Sequence, residues 1–299
     1  MNGSTMKRIG VSAGVSILVA WGAMGTASAY EVVPVTNGGT VTGKVTLDGI
    51  PHPPKRFKIE KTPEVCGEED RLLEEVRVNG NGMLADAVLV LQGVVQGKPY
   101  QEFTIEGPPP GTRVMTGESD QAPDTYLRPK ECIFGAFTGV VADGKFMRFR
   151  NQDPVKHSPH TYGVKGVVRR SMFNQDLEGD GELDVPITFK KKTELVLKLE
   201  CDQHEHMQNW FRRVDSPYYA FSVVDGSFEI TDVPPGEYSL IAWHPKYRRD
   251  LKQTVTVEPG GTVEVSFTFK SRLTLEQVAF MATEISNTPK EETEEQAGQ

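Results

Sequence analysis

The alternation of apolar and polar residues along this chain predicts β-strands. Apolar side chains occupy every second position of residues 238–242 and 263–269, and of residues 41–47 except at Gly43. Because successive side chains of a strand point to opposite faces of a sheet, each segment is predicted as a strand with one buried face. Residues 87–91 are apolar without interruption, which predicts a short strand buried on both faces.

Turn signals rich in glycine and proline separate these segments, among them Asp48-Gly49, Asp225-Gly226 and residues 234–236. Several short strands divided by such turns predict an all-β protein built as an antiparallel sandwich. The helical period is found near the C-terminus, where residues 273–285 predict a short amphipathic helix. The charged segment 289–299 that follows is predicted to be a disordered acidic tail.

The first 29 residues have the pattern of a secretory signal peptide. Lys7 and Arg8 precede an apolar run at 9–21, and Ala27-Ser28-Ala29 is a small-residue cleavage site. The mature chain is therefore predicted to begin at Tyr30 and to lie in the periplasm, with no stable membrane insertion after cleavage. The alternative is an uncleaved membrane anchor, which the shortness and glycine content of the run disfavour.

The net charge excludes one class of partner. The formal charge is -8, and it becomes -10 once the signal peptide is removed. An acidic protein is a poor match for the phosphate backbone, so we expect no nucleic-acid partner. About 270 mature residues are enough for two domains.

Cys201, His204 and Met207 follow one another at three-residue spacing and are the main candidate metal ligands. Alternation over residues 193–201 places Cys201 last in an apolar row, pointing inward. Thiolate and thioether sulfur favour reduced copper, and imidazole serves both oxidation states. His157, on a loop after the strand 146–150, is the candidate that completes the set. The competing interpretation is a buried core thiol at Cys201 and a packing methionine at Met207.

The remaining polar candidates surround this set. Asn151 or Asp153 is predicted to hold the His157 loop through its side chain. His160 and His206 are predicted to lie near the ligands, with His206 facing solvent. His52 is predicted on a surface loop, and His244 in a structural position that could line a domain interface. In an oxidising compartment Cys66 and Cys132 are left to form a disulfide, if Cys201 binds metal.

The two ends of the strand pattern resemble one known module. Residues 39–49, 85–91 and 225–240 resemble the carboxypeptidase regulatory-like domain, a transthyretin-type or immunoglobulin-like β-sandwich. Because the first two of these segments are far from the third in sequence, we predict a discontinuous sandwich of residues 37–97 plus 217–270. A second domain would be inserted at 98–216, and a helix and tail would follow at 271–299. Three domains in series is the alternative. A split is favoured because neither flank has enough strands to bury a core alone.

The inserted segment resembles the cupredoxins of the amicyanin and plastocyanin type, and the whole chain resembles exported methylamine-utilisation-type proteins that join a cupredoxin to such a sandwich. That resemblance implies a Greek-key β-sandwich or barrel holding one type 1 copper. His157, Cys201 and His204 would be the planar ligands and Met207 the weak axial one. It also implies one-electron transfer with a redox partner such as a c-type cytochrome or a respiratory or oxidative complex.

Several residues depart from the cupredoxin pattern. Lys156 puts a cation beside the first histidine, Ser158 replaces the usual asparagine, and Glu205 and His206 make the ligand loop more polar. His206 is a possible competing ligand. These departures support an alternative function, a copper-binding structural or assembly subunit whose sandwich mediates protein contacts. We do not expect an enzyme: six histidines are too few for a multicopper oxidase, and a dinuclear centre lacks a second thiolate near Cys201.

Overall fold

A computed structural model describes residue 1 and residues 30–108, 112–247 and 249–283. The predicted signal peptide, apart from Met1, and the predicted acidic tail lie outside these ranges. Across the described ranges, we find no helix with the length and apolar character needed to cross a membrane.

The described residues are arranged mainly as strands, joined by short turns. The strands are β1 (Glu31–Val32), β2 (Gly39–Asp48), β3 (Lys55–Phe57), β4 (Arg71–Leu73), β5 (Val88–Gln92), β6 (Gln96–Gly97), β7 (Tyr100–Glu106), β8 (Arg113–Ser119), β9 (Thr125–Arg128), β10 (Thr138–Val141), β11 (Phe146–Arg150), β12 (Pro159–Lys165), β13 (Val168–Asn174), β14 (Glu182–Pro186), β15 (Val196–Cys201), β16 (Gln208–Arg213), β17 (Tyr219–Phe221), β18 (Ser227–Val233), β19 (Gly236–Trp243), β20 (Leu251–Val257) and β21 (Thr262–Lys270). The helices are α1 (Pro63–Cys66) and α2 (Leu275–Thr283).

Two sheets combine strands from both ends of the chain. One has the order β17-β5-β19-β20 and the other the order β18-β2-β21, in which β2 and β21 run parallel. Their apolar faces share one buried cluster that includes Val41 of β2, Leu89 of β5 and Phe267 of β21. Strands that are distant in sequence thus bury a common core, while the division of the chain into separate domains stays a prediction.

The middle of the chain forms two five-stranded sheets, with the orders β10-β16-β15-β12-β13 and β14-β11-β9-β7-β8. Leu197, Leu199 and Cys201, on the inner face of β15, belong to the buried cluster of this region together with Phe149 of β11. Within the described ranges the sheets stay open and no barrel closes. The all-β prediction is confirmed, with 49% of the described residues in strands and 5% in helices. The sheets are mixed rather than purely antiparallel as predicted, since pairs such as β2 with β21 and β10 with β16 run parallel.

Two details of the predicted elements differ from the structure. The C-terminal helix begins at Leu275, because Thr274 caps it reciprocally with Gln277: the Gln277 N–H donates to Thr274 Oγ1, and the Thr274 N–H donates to Gln277 Oε1. No residue of α2 is buried. On β15, the outer face is not open to solvent throughout, since Lys198 is buried with its Nζ 5.2 Å from the centre of the Trp210 ring.

Tyr218 lies just before β17 and connects this segment to the residue that follows β6 and to β18. Its hydroxyl accepts a 2.9 Å bond from the Lys98 N–H and donates a 2.9 Å bond to the Asp232 carbonyl, and its side chain is fully buried. A phenylalanine here leaves both backbone groups without a partner. We therefore expect Tyr218→Phe to lower the free energy of unfolding by about 1–3 kcal/mol, measured by urea denaturation.

The matched control is Tyr238→Phe. Tyr238 is half-buried and its hydroxyl donates to a single carbonyl, that of Pro234, at 3.0 Å. Water can replace that bond, so we expect a loss within about 0.5 kcal/mol. Equal losses in the two variants would contradict the role assigned to the Tyr218 hydroxyl.

Candidate metal centre

Three potential ligand atoms converge at the end of β15. The Nδ1 atoms of His157 and His204 are 3.1 Å apart, and Cys201 Sγ lies 4.0 Å from the first and 3.8 Å from the second. All three side chains are buried; His204, the most accessible, is 5% exposed. The structure thus brings residues 157 and 204 together with Cys201.

Backbone bonds between two loops fix this arrangement. The Cys201 N–H donates to the Met207 carbonyl and the Met207 N–H to the His204 carbonyl, which closes the ligand loop on itself. The Ser158 N–H points at Cys201 Sγ at 3.3 Å, and the Ser158 carbonyl accepts from the Asp202 N–H at 3.0 Å. Ser158 therefore links the two ligand loops through its backbone.

Asn151 organises the loop that carries His157. Its Nδ2 donates to the carbonyls of Val155 and Glu178, each at 2.9 Å, and its Oδ1 accepts from the Asp153 N–H at 3.1 Å. One buried amide thus satisfies three backbone groups. The loop holds its shape because of this side chain.

We expect Asn151→Ala to lower the free energy of unfolding by about 1–3 kcal/mol, because it strands backbone groups that are shielded from water. Chemical denaturation of the metal-free protein measures this. The control is Asn174→Ala, whose Nδ2 donates to Asp202 Oδ2 at an exposed site; a change within about 0.5 kcal/mol is expected there. A loss at Asn174 as large as that at Asn151 would contradict the assigned role.

The outer nitrogen of each imidazole also has a partner. His157 Nε2 lies 2.9 Å from Asp153 Oδ2, and His204 Nε2 lies 2.9 Å from Thr62 Oγ1. In the tautomer that binds a metal, the proton is on Nε2, so both rings would donate outward and leave Nδ1 free for the ion. Partners of this kind set the tautomer and orientation of metal-binding histidines.

Burial and hydrogen bonding shift the charges of the site. Burial raises the pKa of the Cys201 thiol, but bonds from His157, His204 and the Ser158 N–H outweigh it and bring the pKa down to about 6. For His157, burial lowers the pKa, while Asp153 and Cys201 together raise it to about 9. The carboxylate of Asp153 is stabilised by its own donors, and its pKa falls although burial opposes the fall. The metal-free site therefore favours a thiolate next to an imidazolium.

The donor set fits a metal ion. An ion bound about 2.0 Å from nitrogen and about 2.3 Å from thiolate holds three coplanar ligand atoms roughly 3.5–3.7 Å apart. The three separations of 3.1, 3.8 and 4.0 Å bracket this range. Two imidazoles and a thiolate around a buried point suit copper or zinc by donor type.

The other predicted site residues take different positions. Met207 is buried in the ligand loop and belongs to the same buried cluster as Cys201. His160 lies on β12 and its Nδ1 is 3.1 Å from Asp202 Oδ2, one residue beyond Cys201. The prediction of a solvent-facing His206 is wrong: it is 6% exposed, its Nε2 donates to the Cys132 carbonyl at 3.0 Å, and burial, with Arg71 nearby, lowers its pKa to about 4. The ring is buried because the Cys132 turn packs over it.

The structure also locates Lys156 and the two histidines that lie outside the site. Lys156 is not directed at the ligands: its Nζ pairs with Asp176 at 2.5 Å and Glu178 at 3.5 Å. His244 is fully buried between Phe137 of the middle region and Phe269 of β21. His52 is half-buried rather than fully on the surface, with its ring 6.2 Å from that of Tyr247.

The predicted disulfide between Cys66 and Cys132 is present. The structure adds a residue that the sequence interpretation missed, Thr62, which stands one helical turn before Cys66 at the start of α1. The sequence held one signal for this turn, a threonine followed by proline and an acidic residue, Thr62-Pro63-Glu64, which is typical of a helix N-terminus. The contact of Thr62 with His204 spans 142 positions and has no local signature.

Comparisons with known proteins give partial matches. A family model described as polysaccharide lyase family 4, domain II, matches residues 198–265, which is less than half of the chain. No curated protein matches. The predicted likeness to carboxypeptidase regulatory-like domains is not among these findings and stays a prediction.

Similar solved structures include copper proteins. A reduced Cu(I) form of an amicyanin mutant is 11% identical, covers 32% of this chain and 85% of its own, and has a TM-score of 0.25. Amicyanin from Paracoccus versutus (Thiobacillus versutus) is 10% identical over 31% and 82%, with a TM-score of 0.25. A purple cupredoxin from Nitrosopumilus maritimus is 18% identical over 26% and 78%, with a TM-score of 0.22. Similarities at these scores do not establish the function of this chain.

Proposed function

We propose that this protein binds one copper ion at a type 1 site and transfers single electrons in the periplasm. His157, Cys201 and His204 would be the planar ligands, with Met207 as the axial one. The observation that supports this most is the convergence of two Nδ1 atoms and one Sγ in a buried pocket whose outer bonds are already made. Copper would supply a one-electron couple there.

The residues support electron transfer by keeping the site rigid. Thiolate and imidazole together accommodate both oxidation states of copper. Because Asp153 and Thr62 hold the imidazoles and Ser158 holds the thiolate, the ligand atoms need not move when the charge of the ion changes. Burial of all three side chains excludes water from the same point. We assign no catalytic residues, and we propose a c-type cytochrome or a respiratory or oxidative complex as redox partner.

Electrochemistry tests this proposal. The copper-loaded mature protein is expected to give a reversible one-electron wave and to exchange electrons with a c-type cytochrome in stopped-flow mixing. The metal-free protein is the control and should do neither. A bound copper that cannot be reduced and reoxidised would exclude the carrier function.

One observation favours a second candidate, a copper-binding structural or assembly subunit. In the structure Thr62 Oγ1 lies 2.9 Å from His204 Nε2 and the ligand is 5% exposed, so its ring offers little surface to a partner. A storage or scaffold role needs no such access. Copper that is retained but exchanges no electron with any cytochrome offered would support this candidate.

A further inference from the structure

Two short turns outside the ligand triad meet at the Cys66–Cys132 disulfide. The first is the α1 turn, in which the Cys66 N–H donates to the Thr62 carbonyl at 2.9 Å and Thr62 Oγ1 lies 3.2 Å from Cys66 Sγ. The second is formed by Glu131 and Cys132. We name the two turns with their disulfide the clamp; it comprises residues 62–66 and 131–132.

Each half of the clamp holds one imidazole. Thr62 Oγ1 contacts His204 Nε2 at 2.9 Å. On the other side, the N–H groups of Glu131 and Cys132 donate to the two oxygens of Asp153 at 2.5 and 2.9 Å, and Asp153 in turn accepts from His157 Nε2. The outer supports of both histidines thus belong to one covalently linked unit.

The clamp is also in direct contact with the rings. The sulfurs of Cys66 and Cys132 and a ring nitrogen of His204 lie within 4.8 Å of one another, and so do Cys132 Sγ, a carboxylate oxygen of Asp153 and a ring nitrogen of His157. Cys66 and Cys132 are 1% and 0% exposed. The disulfide is therefore part of the wall of the metal pocket.

The backbone of the clamp is strained at three residues. Thr62, Glu131 and Cys132 have φ of 48°, 52° and 54°, in the left-handed region that non-glycine residues rarely enter. Thr62 is β-branched, for which this conformation is least favourable. Such strain persists where the surroundings over-determine the geometry, and it concentrates at functional sites. In the clamp it aims a hydroxyl at one imidazole and two N–H groups at the carboxylate behind the other.

We propose that the clamp preorganises the metal site, with Thr62 and Asp153 as positioning residues and the disulfide as the brace that keeps both in place. The inference rests on the proposed function, because it concerns the same triad. Its consequence is that metal affinity depends on a hydroxyl and a disulfide that never touch the metal. Support residues of this kind typically change metal affinity by about 10–100-fold.

Substitutions at Thr62 separate positioning from folding. The measured quantity is the Cu(I) affinity of the mature protein, in competition with a chromophoric chelator, together with the thermal midpoint of the metal-free form. Thr62→Val is expected to lower the affinity about 10–100-fold, and Thr62→Ser to restore it. Thr62→Gly removes the hydroxyl and also the backbone strain. It should therefore lose affinity while its thermal midpoint stays equal or rises.

The control is Thr125→Val. Thr125 is buried and its Oγ1 donates to the Val140 carbonyl at 3.1 Å, away from the site. It is expected to lower the thermal midpoint and leave the Cu(I) affinity within about twofold. Copper affinities that follow the thermal midpoints across all four variants would overturn the proposal, because they would show a purely structural effect.

The disulfide is tested by the double variant Cys66→Ala with Cys132→Ala. If its far-ultraviolet circular dichroism matches the wild type, its Cu(I) affinity is expected to fall at least as much as that of Thr62→Val. An affinity within twofold of the wild type would overturn the bracing role. Should the double variant not fold, the Thr62 substitutions alone test whether the clamp preorganises the metal site.

Cys201→Ser distinguishes a failure of the proposed function from a failure of the clamp proposal. If it leaves the Cu(I) affinity unchanged, the metal does not bind the triad and the proposed function fails together with the inference. If it abolishes binding while Thr62→Val and the folded double variant bind as the wild type does, the inference alone fails.

Discussion

Serine at position 201 is expected to abolish the intense visible absorption of the Cu(II)-loaded protein and to lower its copper affinity more than about 100-fold. The absorption arises when a thiolate donates charge to Cu(II), and a hydroxyl oxygen cannot replace it. The affinity loss should exceed the roughly 10–100-fold that support residues typically cost, because a ligand itself is removed. Absorption and electron paramagnetic resonance spectra with one equivalent of Cu(II) measure the result.

The environment of Cys201 makes this substitution specific. Serine is close in size to cysteine, so the Ser158 N–H that faces Sγ at 3.3 Å keeps an acceptor. The disulfide does not involve this residue. Met207→Leu is the matched control, since it removes the other sulfur of the ligand loop and should leave the thiolate absorption in place. A spectrum unchanged by Cys201→Ser would place copper elsewhere, and the scaffold alternative would then stand.

Asp86→Asn is expected to lower the free energy of unfolding by about 3 kcal/mol at neutral pH, in the range for breaking a buried ion pair. Asp86 Oδ2 accepts from Arg77 Nε at 2.6 Å, and Oδ1 lies 3.4 Å from Arg113 Nη2. The side chain of Asp86 is 4% exposed and that of Arg113 14% exposed. Asparagine keeps the left-handed backbone of residue 86, where φ is 61°, so the lost charge is the main change.

The loss at Asp86 should depend on pH in one direction. Burial raises the pKa of this carboxyl, but Arg77 and Arg113 outweigh it and hold the pKa below its ordinary value. The stabilisation is therefore complete above about pH 4, the ordinary pKa of aspartate. It disappears as the pH falls through the lower pKa of the folded state. Urea denaturation at pH 7 and pH 3 should show the difference between wild type and variant shrinking in acid.

Asp70→Asn is the comparison for Asp86. Asp70 pairs with Arg56 at 3.9 Å, and the two side chains are 40% and 52% exposed. Solvent screens such a pair, so a loss below about 1 kcal/mol is expected. Equal losses at the two aspartates, or a loss at Asp86 that is no smaller at pH 3 than at pH 7, would refute the assigned ion-pair role.

The strands were predictable because each carries its own signal. Alternation over 41–47 and 263–269 identified β2 and β21, which run parallel and pair from Thr40 to Asp48. The continuous run at 87–91 identified β5, whose residues 88–91 are all buried. The buried Lys198 could not be predicted, since its cover comes from the packing of distant segments rather than from its own strand.

The site was predictable as far as local spacing reached. Register on β15 turned Cys201 inward, and three-residue spacing placed His204 in the adjoining loop. Thr62, the α1 turn and the nearness of the disulfide were not predicted. They depend on contacts between residues 62 and 204 and between 66 and 132, and distance in space cannot be obtained from the sequence pattern of either partner.

The order of the three cysteines along the chain favours the native disulfide over mispaired ones when oxidation begins during synthesis. Translation proceeds from the N-terminus, so Cys66 and Cys132 are both made before Cys201. The native disulfide joins the first two thiols in that order, whereas each mispairing requires the last one. An oxidant acting on the growing chain therefore meets the correct pair first. Thiol–disulfide isomerases would be needed less here than in chains whose native pairs are not sequential.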